Sequence, residues 1–444
     1  MDWPIEDAPW TNHDLRSVEF ETRHTVVLQK PEPDAPLKTR VLEDKNDWEH
    51  WFDDAESTER EDGLHIILFS RAWPIFDEDA PVSHISVTRD TWERLTSLFH
   101  VHRSITRSIA RQVACVTSSY VESKASRPKI CFTARMSKQI PQDLALSLTY
   151  VPGIGSTFAV VYGCNEHQMR QIERRVRYVG AQTKYPLFMI GIFAELERER
   201  LVSMVDKLVD GFALQSGRLE SGSWDPSTDM SNEKTQEYLA LCLESRMLID
   251  NIRAVKRQTS KLLAEIDEFG GYFSSLNDKA HPDAKKKARL FKKAGNQMKK
   301  RLQDILNEYD DKIDECNMIM GNTTLAMQTV WNQIARHDSV ISTRIAHANT
   351  RIALETKREG IQMRSIALLT MIYLPFSSVA AVFSMDMFNW DAPDGGTVVS
   401  KYIWVFATFA IGFTAITLFA WHHITCRHEK RADEDASDIQ SKMV

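Results

Sequence analysis

The chain has 444 residues, of which 43% are hydrophobic and 26% are charged, and its formal net charge is −6. On average this is the composition of a soluble protein of two or three domains. The N-terminus MDWPIEDAPW is acidic and has neither a basic n-region nor an apolar h-region, which excludes a secretory signal and an Arg-rich transit peptide. The six cysteines form no CxxC pair, so they fit reduced thiols and exclude a paired zinc-ligand pattern.

The first segment, residues 1–62, is strongly acidic. It carries 18 Asp and Glu against 7 Lys and Arg, so its net charge is 7 − 18 = −11. Such a charge excess predicts a poorly packed, partly disordered leader, either as a solvated face or as a dedicated binding tail.

Residues 63–215 are predicted to form an α/β domain. The runs GLHIILFS, KICFTARMS, LALSLTY and STFAVVY are short, β-rich and bounded by Gly, Pro or Ser. Helical patterns lie between and after them, including one that begins at a predicted cap, Asn165, and one led by Pro186. The pattern does not give the strand order. Gly153-Ile154-Gly155 lacks the third glycine of a nucleotide site and is interpreted as a turn.

Residues 216–232 have the composition of a linker, and the chain after them is almost continuously helical. A helical hairpin is predicted over residues 233–321, with coiled-coil-like spacing in its first arm, a break at Gly270-Gly271 and an end near Gly321. Residues 322–364 then predict a stalk helix that continues into the following apolar segment without a linker. Such a rigid rod can transmit a cytosolic state to a membrane.

Two segments near the C-terminus are long enough to span a membrane. No charge occurs in residues 365–385 or in residues 402–421, and about 20 apolar residues cross the hydrocarbon core of a bilayer. We therefore predict a membrane protein with an α/β domain, a helical hairpin, a stalk helix and two C-terminal spans. The predicted segments are a first span at 365–388, an external loop at 389–401, a second span at 402–424 and a tail at 425–444.

Charges on either side of the spans predict the orientation. Basic residues precede the first span and follow the second, whereas the connection between them is acidic. Under the positive-inside rule both termini are cytosolic. The residues concerned are Lys357, Arg358, Arg364, Arg427, Lys430 and Arg431 on the inside, and Asp386, Asp391, Asp394 and Lys401 in the loop.

The segment ALETKREGIQMRSIALLTMIYLPFSSVAAVFSMDMFNW, residues 353–390, together with the two-span layout, resembles the CorA family of divalent-cation channels, in particular its divergent fungal branch. The hallmark of that family is a Gly-Met-Asn triplet at the end of the first span. The corresponding selectivity loop here is Ser384-Met385-Asp386, in which only the methionine is kept.

The resemblance implies a homopentamer in which the first span lines the pore. One helical face of that span is apolar at the cytosolic end and small or hydroxylic toward the outside. Hydroxyls on this face either contact the water shell of a passing ion or bond back to the helix carbonyls. The predicted pore-lining residues are Met363, Ile366, Thr370, Leu374, Ser377 and Ala381, continuing to Ser384.

Asp386 is the predicted metal-binding residue, since a pentamer presents five of its carboxylates at the outer mouth. The other interpretation is an ordinary interfacial acid at the end of a span. Three further features each have two interpretations. The basic run Lys285 to Arg301 either meets anionic lipid or coats a solvated helix. The acidic run EYDDKIDE at 308–315 is either a divalent sensor or a plain structural face, and His422, His423 and His428 near the inner interface either bind zinc or anchor the helix there.

The leading functional hypothesis is a divalent-cation channel, for Mg²⁺ by family default, and the alternative is a non-conducting CorA-like scaffold or sensor. No pairing of a nucleophile with a base supports an enzyme, and no cofactor is expected besides the transported cation. The expected partners are further copies of the chain, the lipid bilayer and divalent cations, with no nucleic acid. The expected location is the plasma membrane or a vacuole rather than a mitochondrion.

Overall fold

The computed structural model describes residues 10–57, 63–73, 80–123, 126–220, 232–277, 282–383 and 403–442. The chain divides into two compact units, Met1–Gln333 and Ile334–Val444, and each is described by itself.

The described elements are nine strands, eight α-helices and one short 3-10 helix, Ala181–Lys184. The strands are β1 Glu19–Phe20, β2 Thr25–Lys30, β3 Lys38–Leu42, β4 Leu64–Ser70, β5 His84–Ile85, β6 Cys115–Ser123, β7 Ser126–Arg135, β8 Ala145–Val151 and β9 Ser156–Cys164. The α-helices are α1 Lys45–Ser57, α2 Arg89–Leu98, α3 Ser104–Ile109, α4 Glu166–Tyr178, α5 Phe188–Glu220, α6 Asn232–Asn277, α7 Pro282–Phe383 and α8 Ile403–Lys442.

Seven strands form one mixed sheet in the order β3-β2-β4-β9-β8-β7-β6. Only the central β4 and β9 are parallel, and every other neighbouring pair is antiparallel. The β8–β9 hairpin closes around Gly155, which has a φ of 73° and donates its N–H to the carbonyl of Val151 at 2.9 Å. The interpretation of Gly153-Ile154-Gly155 as a turn is therefore confirmed.

The sheet separates two apolar cores. On one face, Leu64, Ile66 and Leu68 of β4 pack with side chains from helices α4 to α7. On the other face, Ile67 and Phe69 of the same strand pack with helices α1 to α3. This alternation follows from the two-residue period of a strand, and burial of both faces explains why β8 and β9 are buried along their whole lengths.

The acidic first segment is part of this domain, which corrects the prediction of a poorly packed leader. Strand β2 pairs with β4 along its whole length, so the sheet begins well before residue 63. In α1, Trp48, Trp51 and Phe52 are buried at helical spacing against the second core. Four acids of α1, namely Asp47, Glu49, Asp53 and Asp54, are exposed to solvent, and the net charge of the segment conceals the narrow apolar stripe.

Buried Lys30 ties β2 to α4. Its ammonium donates to the carbonyls of Val176 at 3.0 Å and Val179 at 2.6 Å, which are at the C-terminal end of α4. Such an end has carbonyls without helical partners and a partial negative charge, so a lysine stabilises it. The N-terminal end of α4 has the predicted cap, in which Asn165 and Gln168 form a reciprocal capping box.

Helix α6 covers the outer edge of β6, the last strand of the sheet. The backbone N–H of Val116 donates to Gln258 at 3.0 Å, and its carbonyl accepts from Lys261 at 3.1 Å. Ser118 donates to Glu265 at 2.7 Å. These bonds satisfy edge groups that would otherwise be open to another strand.

Ion pairs show how the three long helices of the first unit run. Lys256 pairs with Asp310, and Asp267 pairs with Lys299, so α6 and α7 are antiparallel and form the predicted hairpin. On α5, Arg198 pairs with Glu308, while Glu195 and Asp206 pair with Arg301 and Lys312 respectively, so α5 and α7 are parallel.

Two predicted helix ends are wrong. Helix α6 continues through Gly270-Gly271 to Asn277, and α7 passes through Gly321 as one helix from Pro282 to Phe383. A glycine ends a helix when it adopts a positive φ, and in the described part only Gly155 and Gly163 do so. A Cβ added at Gly270, Gly271 or Gly321 would meet no atom within 4 Å, so these glycines lie on open helix surface.

The described elements confirm the predicted fold class: an α/β domain, a helical hairpin, and a long helix that continues into the first of two apolar C-terminal helices. The four predicted strand runs and the helix after Pro186 are also confirmed. Strands β1, β2, β3, β5 and β6 were not predicted.

A buried charge cluster ties the ends of β4 and β7 to the start of β8. Asp143 accepts from Arg71 at 2.7 Å and also pairs with Arg135, and all three side chains are at least nine-tenths buried. Arg71 additionally donates to the carbonyls of Ala80 and Gly163. Burial lowers the pKa of Arg135, and the negative charge of Asp143 acts in the opposite direction.

Asp143→Asn is expected to destabilise the first unit by about 3–5 kcal/mol, because two buried guanidinium groups lose their shared counter-charge. Chemical unfolding of the full chain in detergent measures this. Asp54→Asn is the control, since it breaks the solvent-exposed pair with Arg40 and is expected to cost less than about 1 kcal/mol. Equal effects of the two substitutions would contradict the assignment.

Glu195→Gln is expected to destabilise the α5–α7 contact in a pH-dependent way. Burial acts to raise the pKa of Glu195, but hydrogen bonds from Arg301 and Arg198 outweigh it and hold the pKa below its usual 4.5. The carboxylate therefore contributes fully above pH 4.5, and its contribution is lost as the pH falls through the lowered value. Melting curves at pH 7 and pH 4 give the effect of the substitution at each pH.

The expected loss at pH 7 is about 1–2 kcal/mol, and it should shrink at pH 4. Glu166→Gln, which breaks an exposed pair with Arg170, is the matched control and should have a small effect at both values. A loss from Glu195→Gln that is the same at both pH values would show that the carboxylate charge is not its source.

Candidate functional site

Two helices in the described part of the chain are long and apolar enough to cross a membrane, one within Lys285–Ala381 and one at Ile403–Arg427. Only 6% of each apolar window is buried. The core helix of a soluble domain would be mostly buried, so these helices present their apolar side chains to their surroundings. Helix α8 continues beyond the predicted second span as far as Lys442.

Within the second unit, α7 and α8 meet through an aromatic contact. The rings of Phe376 and Phe406 are 5.7 Å apart and arranged edge to face. Pro375, next to Phe376, and Ala410, one helical turn after Phe406, are both buried. The sequence interpretation missed this contact, because the predicted spans place Phe376 and Phe406 at different distances from their outer ends.

The predicted pore-lining side chains all belong to α7 within the second unit. The large apolar ones are strongly exposed in the single chain, with exposed fractions of 73% for Met363, 64% for Ile366 and 60% for Leu374. Thr370 and Ala381 are also exposed, and Ser377 is half-buried. No described element covers this face.

The hydroxyls on this face bond back to their own helix. Thr370 donates to the carbonyl of Ile366 at 2.8 Å, and Ser377 donates to that of Leu374 at 3.0 Å. Ser378 donates to the same carbonyl at 2.8 Å. The carbonyl that Pro375 leaves without its helical donor is that of Met371, so these serines do not replace the missing bond.

Back-bonding determines what the hydroxyls can still do. A hydroxyl has one hydrogen and two lone pairs, and here the hydrogen is used within the helix. The oxygen therefore remains available as an acceptor only. Water molecules in the shell of a cation point their hydrogens away from the ion, so such an oxygen matches a hydrated cation and not an anion.

The predicted selectivity loop lies outside the described residues. This applies to Ser384, Met385 and Asp386, and also to Asp391 and Asp394 of the acidic connection. Among the described residues, no group of three or more His, Cys, Asp or Glu could hold a metal ion. Asp386 therefore stays a prediction.

The acidic run at 308–315 is used in ion pairs. Glu308 pairs with Arg198, Asp310 with Lys256, and Glu315 with Lys312. The pairs of Glu308 and Asp310 join α7 to α5 and α6, whereas Glu315 pairs within α7. These pairs support the interpretation as a structural face. Of the histidines near the inner interface, His422 lies about 3.8 Å from the sulfur of Cys426, one turn away on α8.

A second exposed apolar stripe lies on α7 before its apolar window. Ile341, Ile345 and Ile352 recur at spacings of four and seven, with exposed fractions of 40%, 55% and 60%. Their spacing places them on one side of the helix. Exposure of such an apolar stripe to water is unfavourable, so another helix is expected to cover it.

Comparison with known proteins found no matching family model and no matching curated protein. Among solved structures, the full-length CmaX protein is 9% identical, with a TM-score of 0.41, over 91% of this chain and 99% of that one. The CorA magnesium transporter from Methanocaldococcus jannaschii is 10% identical, with a TM-score of 0.31, over 90% and 97%. The ZntB cytoplasmic domain from Vibrio parahaemolyticus is 9% identical, with a TM-score of 0.34, over 69% and 99%.

Ile345→Glu combined with Ile352→Glu is expected to reduce the size of the detergent-solubilised assembly, because each copy would place two carboxylates in an apolar seam. Native mass spectrometry or light scattering measures the particle mass. His347→Glu adds a carboxylate about 200° around the helix from Ile345 and is the control expected to leave the mass unchanged. An unchanged mass in the double variant would show that the stripe is not a contact between copies.

Proposed function

We propose that this chain is a CorA-like divalent-cation channel, with Mg²⁺ as its transported ion, and that it works as a homopentamer. The first membrane helix lines the pore through Met363, Ile366, Thr370, Leu374, Ser377 and Ala381. Ser384, Met385 and Asp386 form the selectivity loop at the outer mouth.

The observation that carries this proposal is the uncovered face of α7. Its membrane segment exposes a face that is apolar at one end and hydroxylic at the other, and two helices in the described part of the chain are able to span a bilayer. Two helices cannot enclose a water-filled path, whereas several copies around an axis can. The sequence resemblance over residues 353–390 supports the same arrangement.

The two ends of the pore face have different tasks. A ring of Met363 and Ile366 narrows the path with apolar side chains, and such a constriction closes by excluding water. Farther along, Thr370 and Ser377 offer acceptor oxygens to the hydrated ion. Mg²⁺ gives up its water reluctantly, so contact through the water shell suits this ion.

The predicted orientation places the acidic connection outside and both termini in the cytosol. A ring of Asp386 carboxylates then concentrates cations at the entrance, and Asp391 and Asp394 add to that field. An inward-negative potential favours entry of a divalent ion by about 4.6 kcal/mol per 100 mV, twice the value for a single charge. The plasma membrane or a vacuole is the proposed location.

The alternative function is a non-conducting CorA-like scaffold or sensor. The altered triplet favours it, because Asp386 replaces a neutral amide and a stronger negative ring slows the release of a bound cation. Ser384 replaces a glycine, and it adopts a positive φ less readily.

Flux into proteoliposomes separates these functions. Wild-type chain is expected to admit Mg²⁺, with Co²⁺, Ni²⁺ and Zn²⁺ tested in parallel. Asp386→Asn is expected to raise the half-saturating Mg²⁺ concentration about tenfold, equivalent to about 1.4 kcal/mol, because the ring loses its charge. Asp394→Asn is the control in the same loop and should have a smaller effect.

Absence of cation flux from both the wild-type chain and Asp386→Asn would favour the scaffold. Flux that is equally sensitive to Asp386→Asn and Asp394→Asn would contradict a special role of Asp386.

A further inference from the structure

Part of the basic run at Lys285 to Arg301 lines a cavity that the proposed function does not use. The cavity has a volume of about 300 Å³ and lies in the first unit between the ends of α6 and α7 that form the hairpin tip. Its walls are apolar and aromatic where they are buried, with Tyr185, Ile266, Phe269 and Phe291.

Positive charge exceeds negative charge around this cavity. Three cations line it, namely Arg289, Lys292 and Lys299, against one acid, Asp267. Lys299 already pairs with Asp267 at 2.6 Å. Within the described part of the chain no ion pair is recorded for Arg289 or Lys292, and both are exposed. Among the described residues, these two positive charges at an apolar cavity are therefore not neutralised.

A neighbouring cavity does not have this excess of positive charge. It has a volume of about 370 Å³, shares Tyr185, and is lined by Arg175 and Arg301. Both of these arginines are engaged by acids, Arg175 by Glu199 and Arg301 by Glu195. Apolar walls occur in both cavities, but only the one at the hairpin tip combines them with uncompensated cations.

The lining of the hairpin-tip cavity also includes an uncharged hydrogen-bond donor, the hydroxyl of Tyr185. Tyr185 follows the short 3-10 helix, and a Cβ placed on Gly295 would lie 3.2 Å from its hydroxyl oxygen. Glycine at that position leaves the tyrosine room beside α7. Burial, with the charge of Asp267 as a smaller cause, raises the pKa of Tyr185, so the hydroxyl keeps its proton at neutral pH and can donate it.

We infer that this cavity binds an organic anion, a phosphate or carboxylate carried on an apolar body. Arg289 and Lys292 hold the anionic group, and Phe269, Phe291 and the ring of Tyr185 enclose the apolar part. Charge-assisted hydrogen bonds from exposed cations are strengthened when an apolar wall excludes water from one side. The inference is independent of ion conduction.

The test uses the full chain in nanodiscs of neutral phosphatidylcholine and calorimetric titration with 1-naphthyl phosphate. Arg289→Glu combined with Lys292→Glu is expected to weaken binding at least about tenfold, because both attractive charges become repulsive. Lys285→Glu combined with Lys286→Glu changes the same number of charges on the same helix outside the cavity lining. This control should bind within about twofold of the wild-type chain.

A charge-conserving variant, Arg289→Lys combined with Lys292→Arg, should keep most of the binding. Inorganic phosphate, which has no apolar part, should bind far more weakly than naphthyl phosphate. The inference is overturned if the wild-type chain does not bind, if both Glu variants lose binding equally, or if inorganic phosphate binds as tightly. Helicity measured by circular dichroism verifies that each variant is folded.

The anion can be soluble or belong to a lipid, and a further arm separates these sources. The titration is repeated in nanodiscs that contain phosphatidylserine. If the anionic lipid displaces naphthyl phosphate, and does so through Arg289 and Lys292, the ligand is a lipid headgroup. If the titration is unchanged, the ligand is a soluble organic anion. Because only binding is measured, a channel that fails to conduct leaves the result intact.

Discussion

Removal of apolar side chains from water is the constraint on which this structure depends, and the two units meet it in different ways. In the first unit a seven-stranded sheet buries both faces, one against α1 to α3 and the other against α4 to α7. In the second unit most of the large apolar side chains of α7 and α8 stay exposed. Under the proposed function, lipid and further copies of the chain cover these side chains.

Charged residues in the first unit fall into two groups: those that form ion pairs within the unit, and cations that make no such pair among the described residues. Buried Asp143 neutralises two arginines at the ends of strands, and acids on α7 and α5 pair with lysines and arginines across the helical bundle. These pairs orient helices and do not bind ions from solution. Arg289 and Lys292 differ because they line an apolar cavity and make no ion pair within the described part of the chain. Pairing across the tertiary structure distinguishes the two sets of charges.

The hydroxyls of α7 connect helix geometry to ion chemistry. Their bonds to the carbonyls of Ile366 and Leu374 satisfy the hydrogens within the apolar window of the helix. The same bonds fix the oxygens as acceptors, which suits the outward hydrogens of a hydrated cation. Back-bonding and contact with a hydrated ion, which the sequence presents as alternatives, are therefore compatible at Thr370 and Ser377.

Local patterns in the sequence determined the strands at GLHIILFS and STFAVVY, the cap at Asn165 and the two apolar spans, because periodicity and capping are properties of neighbouring residues. Tertiary structure decided the rest. Trp48, Trp51 and Phe52 anchor an acidic segment only because a sheet lies beside them, and β2 is a strand through its pairing with β4. Gly270, Gly271 and Gly321 stay helical since nothing forces a positive φ on them, which a one-dimensional pattern does not record. Whether a cation is paired or free likewise depends on distant parts of the chain, because Glu195 and Arg301 meet across 106 residues.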